Sequence, residues 1–242
     1  MPPAIPDRFI AACDVAVAEL SERADVVGVL VFGSVARGQA TPMSDIDLYA
    51  ITATDHRGHR GRVIDGVPVE VSFGSIAQFT NQVIEERAVV VNAFATGRIL
   101  LDRAGGLAEL SRRAAAIWSR GPAPLTADAR LRFRFHLTDA VRDLEDVRAT
   151  GVESALPAAM CVQMAIDALY GVRSAWAPAP RHVVQSLRSF APDVAAQVER
   201  CAGSGFPARL AAELACDVLQ LLGGRLEEYD TSRASFRSSS SL

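Results

Sequence analysis

Gly33-Ser34-Val35-Ala36-Arg37-Gly38, followed by Ser44-Asp45-Ile46-Asp47-Leu48, is the stretch that decides the fold. Upstream of it, Val26 to Phe32 is a continuous apolar, β-branched run, the pattern of a strand buried on both faces. Downstream, Asp45 to Ile51 reads as a second strand. Side chains alternate along a strand, so Asp45, Asp47 and Tyr49 share one face while Ile46, Leu48 and Ala50 share the other. Two aspartates on one face stand about 7 Å apart and repel unless a cation lies between them. Aspartate is also depleted in strands, so a pair of them inside an apolar run calls for a function. Gly33 allows close approach of an anion to the backbone, Ser34 and Ser44 add hydroxyls, and Arg37 is the nearest cation able to grip a phosphate. Together these parts suit a nucleoside triphosphate held with magnesium, whose preferred ligands are carboxylate and phosphate oxygens.

Working outward, Asp7 to Ala24 has the periodicity of a helix, with Pro6 and Asp7 at its start. Thr54 to Arg62 is polar and rich in Gly, His and Arg, and is expected as an exposed loop. Asp65-Gly66 between two apolar runs signals a hairpin, and Pro68 points to a returning strand that lies at an edge or starts irregularly. On that strand Pro68, Glu70 and Ser72 share one face and Val67, Val69 and Val71 the other, which makes Glu70 the natural third carboxylate. Asp65 is the rival, although an Asp-Gly turn already gives it a structural role. Helices are expected from Ile76 onward and over Leu107–Trp118, with a short apolar segment at Arg98–Asp102. Gly121-Pro122-Ala123-Pro124 is the clearest linker. Beyond it, helices are expected at 127–149, 156–170, 180–190, 193–201 and 207–228, and the serine-rich 231–242 as a disordered tail. The plan is an α/β (α+β) chain: a small mixed-sheet domain over 1–122, a helical bundle over 123–230 and the tail.

At this point the chain resembles the DNA polymerase β-like nucleotidyltransferase superfamily. The likeness is carried by Gly33-Ser34, the Asp45-Ile46-Asp47 pair that follows, and Glu70 within Val-Glu-Val. The helical second half is similar to that of minimal and aminoglycoside-type nucleotidyltransferases. The resemblance implies that Asp45, Asp47 and Glu70 bind two magnesium ions and carry the catalysis, and that Gly33 and Ser34 bind the triphosphate. The expected activity is transfer of a nucleoside monophosphate, AMP from ATP being favoured, to an acceptor hydroxyl. A small, aminoglycoside-like acceptor is preferred over the tRNA or protein hydroxyl used by toxin-like relatives. A non-catalytic nucleotide-binding module is the alternative from another class.

Composition sets limits on this chemistry. Lysine is absent, so all 25 Lys+Arg positions are arginine, which excludes a Walker-type or Schiff-base lysine. The net charge of −3 gives no global attraction to polyanions or anionic membranes, so nucleic-acid contact would have to be local, as at the arginines and histidines of 56–62. No signal peptide or eighteen-residue apolar run is evident, and Cys13, Cys161, Cys201 and Cys216 form no ligand pair. A cytoplasmic protein with buried thiols and no membrane partner is expected, with a homodimer left open. On the first bundle helix His136, Asp139, Asp143 and Asp146 line one face opposite Leu137, Val141 and Leu144. That acidic face would suit a cationic acceptor, or it is simply a solvated face steadied by pairs such as Arg142–Asp146.

Overall fold

The computed structural model describes residues 7–150 and 155–227, which fall into two compact units meeting between Pro122 and Ala123. The 231–242 tail expected to be disordered lies outside the described residues.

The first unit is a five-stranded mixed sheet with helices on both faces. Its strands are β1 (Val26–Phe32), β2 (Ile46–Thr52), β3 (Gly58–Ile64), β4 (Val67–Ser75) and β5 (Arg98–Asp102), in the spatial order β3-β4-β2-β1-β5. All neighbours run antiparallel except β2 and β4, which are parallel. Helix α1 (Asp7–Glu22) covers one face, where Phe9, Ala12, Ala16 and Leu20 meet Val29, Val31, Ile46, Leu48, Val69 and Val71. On the other face α3 (Ile76–Ile84), α4 (Ala88–Thr96) and α5 (Leu107–Arg120) bring Phe79, Phe94 and Leu110 against Leu30, Tyr49 and Ile51. The central strands are buried on both sides, which explains their nearly unbroken apolar sequence.

One expectation needs correction, and the choice left open by Pro68 is decided. The polar stretch 54–62 is a loop only as far as Arg57; from Gly58 it is an edge strand paired to β4 through all seven residues. Its composition conceals this, because every residue from Gly58 to Gly61 is exposed and no buried face demands alternation. Strand β4 is then interior rather than at an edge. Pro68 is tolerated there because it sits at an irregular start. Ile64↔Val67 closes the two-residue turn, Val63↔Pro68 is the next pair out, and pairing with β2 begins only at Val69. No ladder bond asks for the missing N–H. The turn itself matches its sequence, with Asp65 at φ 48° and Gly66 at φ 78°, the left-handed pair a tight hairpin requires.

The second unit is helical: α6 (Ala127–Thr150), α7 (Ala155–Val172), α8 (Val183–Phe190), α9 (Pro192–Gly203) and α10 (Ala208–Leu222), with a short 3-10 turn at Pro180–His182. Helix α7 is long and apolar enough by composition to cross a membrane. In this fold its Cys161, Ala165, Ala168 and Leu169 are fully or almost fully buried in the bundle core with Leu137, Leu187, Leu214 and Val218. Helix α10 ends earlier than the expected 228, since Gly223 at φ 109° and Gly224 at φ 82° turn the chain back. The returning segment is held by α6. Arg134 donates to the carbonyls of Gly223 and Gly224, and the buried Leu226 amide donates to Thr138 Oγ1 at 3.1 Å. Arg142 donates to the Leu226 carbonyl at 2.9 Å, so it serves this segment and not the expected pair with Asp146. Of the cysteines, all free, Cys13, Cys161 and Cys201 are buried and Cys216 is half-buried.

Candidate active site

The site is assembled by strand register. In the parallel ladder Asp47 lies opposite Glu70, and in the antiparallel ladder on its other side Asp47 lies opposite Phe32, the residue before Gly33. Asp45 precedes the strand by one residue. The result is a cluster in which one carboxylate oxygen each from Asp45, Asp47 and Glu70 lies within 4.8 Å of the others, the two aspartates half-buried and Glu70 exposed. Three close carboxylates repel strongly at this spacing, and an all-oxygen set is the donor chemistry that magnesium or calcium selects. Asp65, the rival third acid, is an exposed turn residue outside this cluster.

Gly33 begins a single helical turn, α2 (Gly33–Ala36), with φ 75°. A Cβ placed on it would lie 2.2 Å from Asp47 Oδ2, so the glycine is required both by backbone conformation and by the carboxylate beside it. The buried Ser34 hydroxyl donates to Ser44 Oγ at 3.1 Å, and Ser44 Oγ in turn accepts from the Thr41 amide at 2.9 Å. This pair fastens the turn after β1 to the residue that precedes Asp45. Arg37 reaches inward within its own unit: Nε donates to Gln39 and Nη1 to Asn92 Oδ1 at 3.4 Å, on α4. Asn92 had no signal in the sequence, being one polar residue in an apolar helix.

Two further side chains share the carboxylate face. His59, expected in a loop, stands on β3 opposite Ser72; its Nδ1 is 3.1 Å from Ser72 Oγ and its Nε2 is 3.7 Å from Glu70 Oε2. Tyr49 packs tilted on Phe32 and Phe79 with ring centroids 4.3 and 4.6 Å away. Burial, and secondarily the charge of Asp47, pushes its phenol up to about 12, so it stays protonated and a hydrogen-bond donor. In the second unit His136, Asp139, Asp143 and Asp146 are all exposed on α6 while Leu137, Val141 and Leu144 are buried, as the periodicity requires.

A glycine turn closes on a three-carboxylate cluster at the end of a mixed sheet, an arrangement able to hold a metal ion beside an anion. Comparison with known proteins agrees: residues 13–95, which include Gly33 and all three acids, match the family model of the nucleotidyltransferase domain. Among solved structures, a nucleotidyltransferase-like protein from Exiguobacterium sibiricum 255-15 has a similar fold, with a TM-score of 0.50 at 15% identity over 87% of this chain and 74% of that one. No curated protein sequence matches significantly. Over residues 13–95 the chain is thus similar to nucleotidyltransferase domains, whose general chemistry is transfer of a nucleoside monophosphate.

Proposed function

We propose that the protein transfers a nucleoside monophosphate, AMP from ATP by preference, to a hydroxyl of a small acceptor, with magnesium as cofactor. The observation that carries this is the register Asp47↔Glu70, which adds a third carboxylate to the aspartate pair within 4.8 Å. Holding a metal–triphosphate needs two acids; a third is what a nucleophile's side of the reaction requires, which disfavours a pure binding module. Asp45 and Asp47 would bind both ions and Glu70 would complete the set around the reacting hydroxyl. When bound, magnesium supplies Lewis-acid activation and charge neutralisation.

The remaining work falls to the chain's own groups. Gly33 leaves room for a phosphate against the backbone, and the Ser34–Ser44 pair offers hydroxyls beside it. Arg37, steadied by Asn92, is the cation of the triphosphate wall. The acceptor oxygen bonds to the α-phosphorus, the bond from that phosphorus to its bridging oxygen breaks, and pyrophosphate leaves with the electron pair. The hydroxyl proton departs to solvent past the exposed Glu70. An aminoglycoside-like acceptor rests on the exposed acidic face of α6 alone, and the buried thiols fit a reducing cytoplasm. The test is incubation of wild type and Asp47→Ala with labelled ATP, magnesium and pooled acceptors. Label transfer by the wild type and at least a 1000-fold loss in the variant (on the order of 4 kcal/mol of barrier) is expected; full transfer by Asp47→Ala would end the assignment.

A further inference from the structure

A cavity of about 220 Å³ opens on the carboxylate face of the sheet, lined by Tyr49, Arg57, Gly58, Ser72, Gln78 and Gln82 among others. Its place follows from the ladder. Tyr49 is two residues beyond Asp47, Ser72 is two beyond Glu70, and the two pair with each other, so the cavity begins about 7 Å along the strands from the acids. Across the sheet it lies over β4 and β3, whereas Gly33 follows the end of β1 on the other side of Asp47. The triphosphate grip and the cavity thus flank the carboxylates from opposite sides.

The lining is selective. Arg57 is exposed and its guanidinium makes no hydrogen bond or ion pair with any described residue. No carboxylate lines the cavity; the neighbouring Asp55 is already bonded to Ser75 Oγ at 2.6 Å. The volume is below the roughly 300–1,000 Å³ of sites for drug-sized ligands, enough for one sugar-sized group and small for a polycyclic aminosugar.

We infer that this cavity is the acceptor subsite and that it takes a phosphorylated polyol, its phosphate on Arg57 and its reacting hydroxyl toward Glu70. Free sugar phosphates and the terminal ribose of an RNA share this chemistry. The inference rests on the transfer reading above, and it replaces a cationic acceptor by an anionic one.

The test uses the full chain. Binding of ribose 5-phosphate and of ribose is measured by calorimetry with magnesium and a non-hydrolysable ATP analogue present. Labelling of ribose 5-phosphate, deacylated tRNA and kanamycin is measured with labelled ATP. A sugar phosphate bound at least tenfold more tightly than the bare sugar, with that preference erased by Arg57→Ala and regained in Arg57→Lys, identifies a small phosphorylated acceptor. Labelled tRNA whose KM rises at least tenfold in Arg57→Ala, with the KM for ATP unchanged, identifies an RNA end. Labelling of kanamycin alone, insensitivity of both readouts to Arg57→Ala, or no binding or labelling of either phosphorylated probe overturns the inference. Failure of the transfer reading is seen separately, as label transfer that survives Asp47→Ala.

Discussion

Gly33→Ala separates the two demands made on one residue. The first is conformational: at φ 75° a residue with a Cβ costs about 1–2 kcal/mol. The second is steric, because the new Cβ would lie 2.2 Å from Asp47 Oδ2 and 3.2 Å from its Cγ. Relief to ordinary contact moves the carboxylate by more than about 1 Å, a displacement on the scale that costs about 100-fold in catalysis. The variant should therefore melt lower, at about 2–4 °C per kcal/mol, and bind manganese, a spectroscopic stand-in for magnesium, much more weakly. Thermal melts followed by circular dichroism and manganese binding followed by electron paramagnetic resonance read the two parts. A cycle with Asp47→Ala isolates them: once the carboxylate is gone, Gly33→Ala should retain only its conformational cost. Equal destabilisation in both backgrounds, or wild-type manganese affinity in Gly33→Ala, would refute this account of the site.

Three other outcomes are expected. Gly97→Ala would set a Cβ 2.4 Å from the Ala93 carbonyl and 2.7 Å from that of Val31. Neither backbone atom can swing away, so denaturant melts should show a loss of at least about 1–3 kcal/mol. The Cys161 thiol, fully buried, is pushed up to about 12 chiefly by burial. Its folded pKa lies above the unfolded one, so its contribution is complete below about pH 8.5 and declines by about 1.4 kcal/mol per pH unit above that, until the folded pKa is reached. Cys161→Ala should flatten this slope in alkaline denaturation and otherwise cost only packing. Arg134→Ala removes the bonds to Gly223 and Gly224, and should speed hydrogen exchange at the Leu226 amide by about tenfold or more, with exchange in the sheet unit unchanged.

The central strands and most helices were legible because burial on two faces, or on one stripe, writes itself into the sequence. Val26–Phe32, Ile46–Thr52 and the Leu137, Val141, Leu144 stripe are of that kind. The polar edge strand Gly58–Ile64 was not legible, since exposure frees it from any hydrophobic period. Its reading as a loop also left open whether β4 lay at an edge or merely began irregularly, and it gave His59 no fixed address. The three acids could be named by face and order, but only the ladder gives Asp47↔Glu70 as neighbours. Arg37 and Asn92, fifty-five residues apart, meet through tertiary packing that no local pattern announces.

The parallel pairing of β2 with β4 has a consequence for folding fidelity. Val67, Val69 and Val71 are near equivalents, so sliding β4 by two residues past β2 would exchange one valine for another opposite Ile46, with Phe73 the one large core side chain displaced. The same slide would bring Pro68 or Ser72 opposite Asp47 and remove Glu70 from the carboxylate set. Hydrophobic burial at the three valines is blind to this error. The devices that penalise it lie at the strand's two ends: the Asp65-Gly66 turn, and Ser75 with Gln78, whose reciprocal bonds of 3.0 and 3.2 Å lock the last residue of β4 to the first turn of α3. Residues remote from the chemistry thus act as its alignment marks. A variant weakened there would give well-folded, cooperatively melting protein with an inert site.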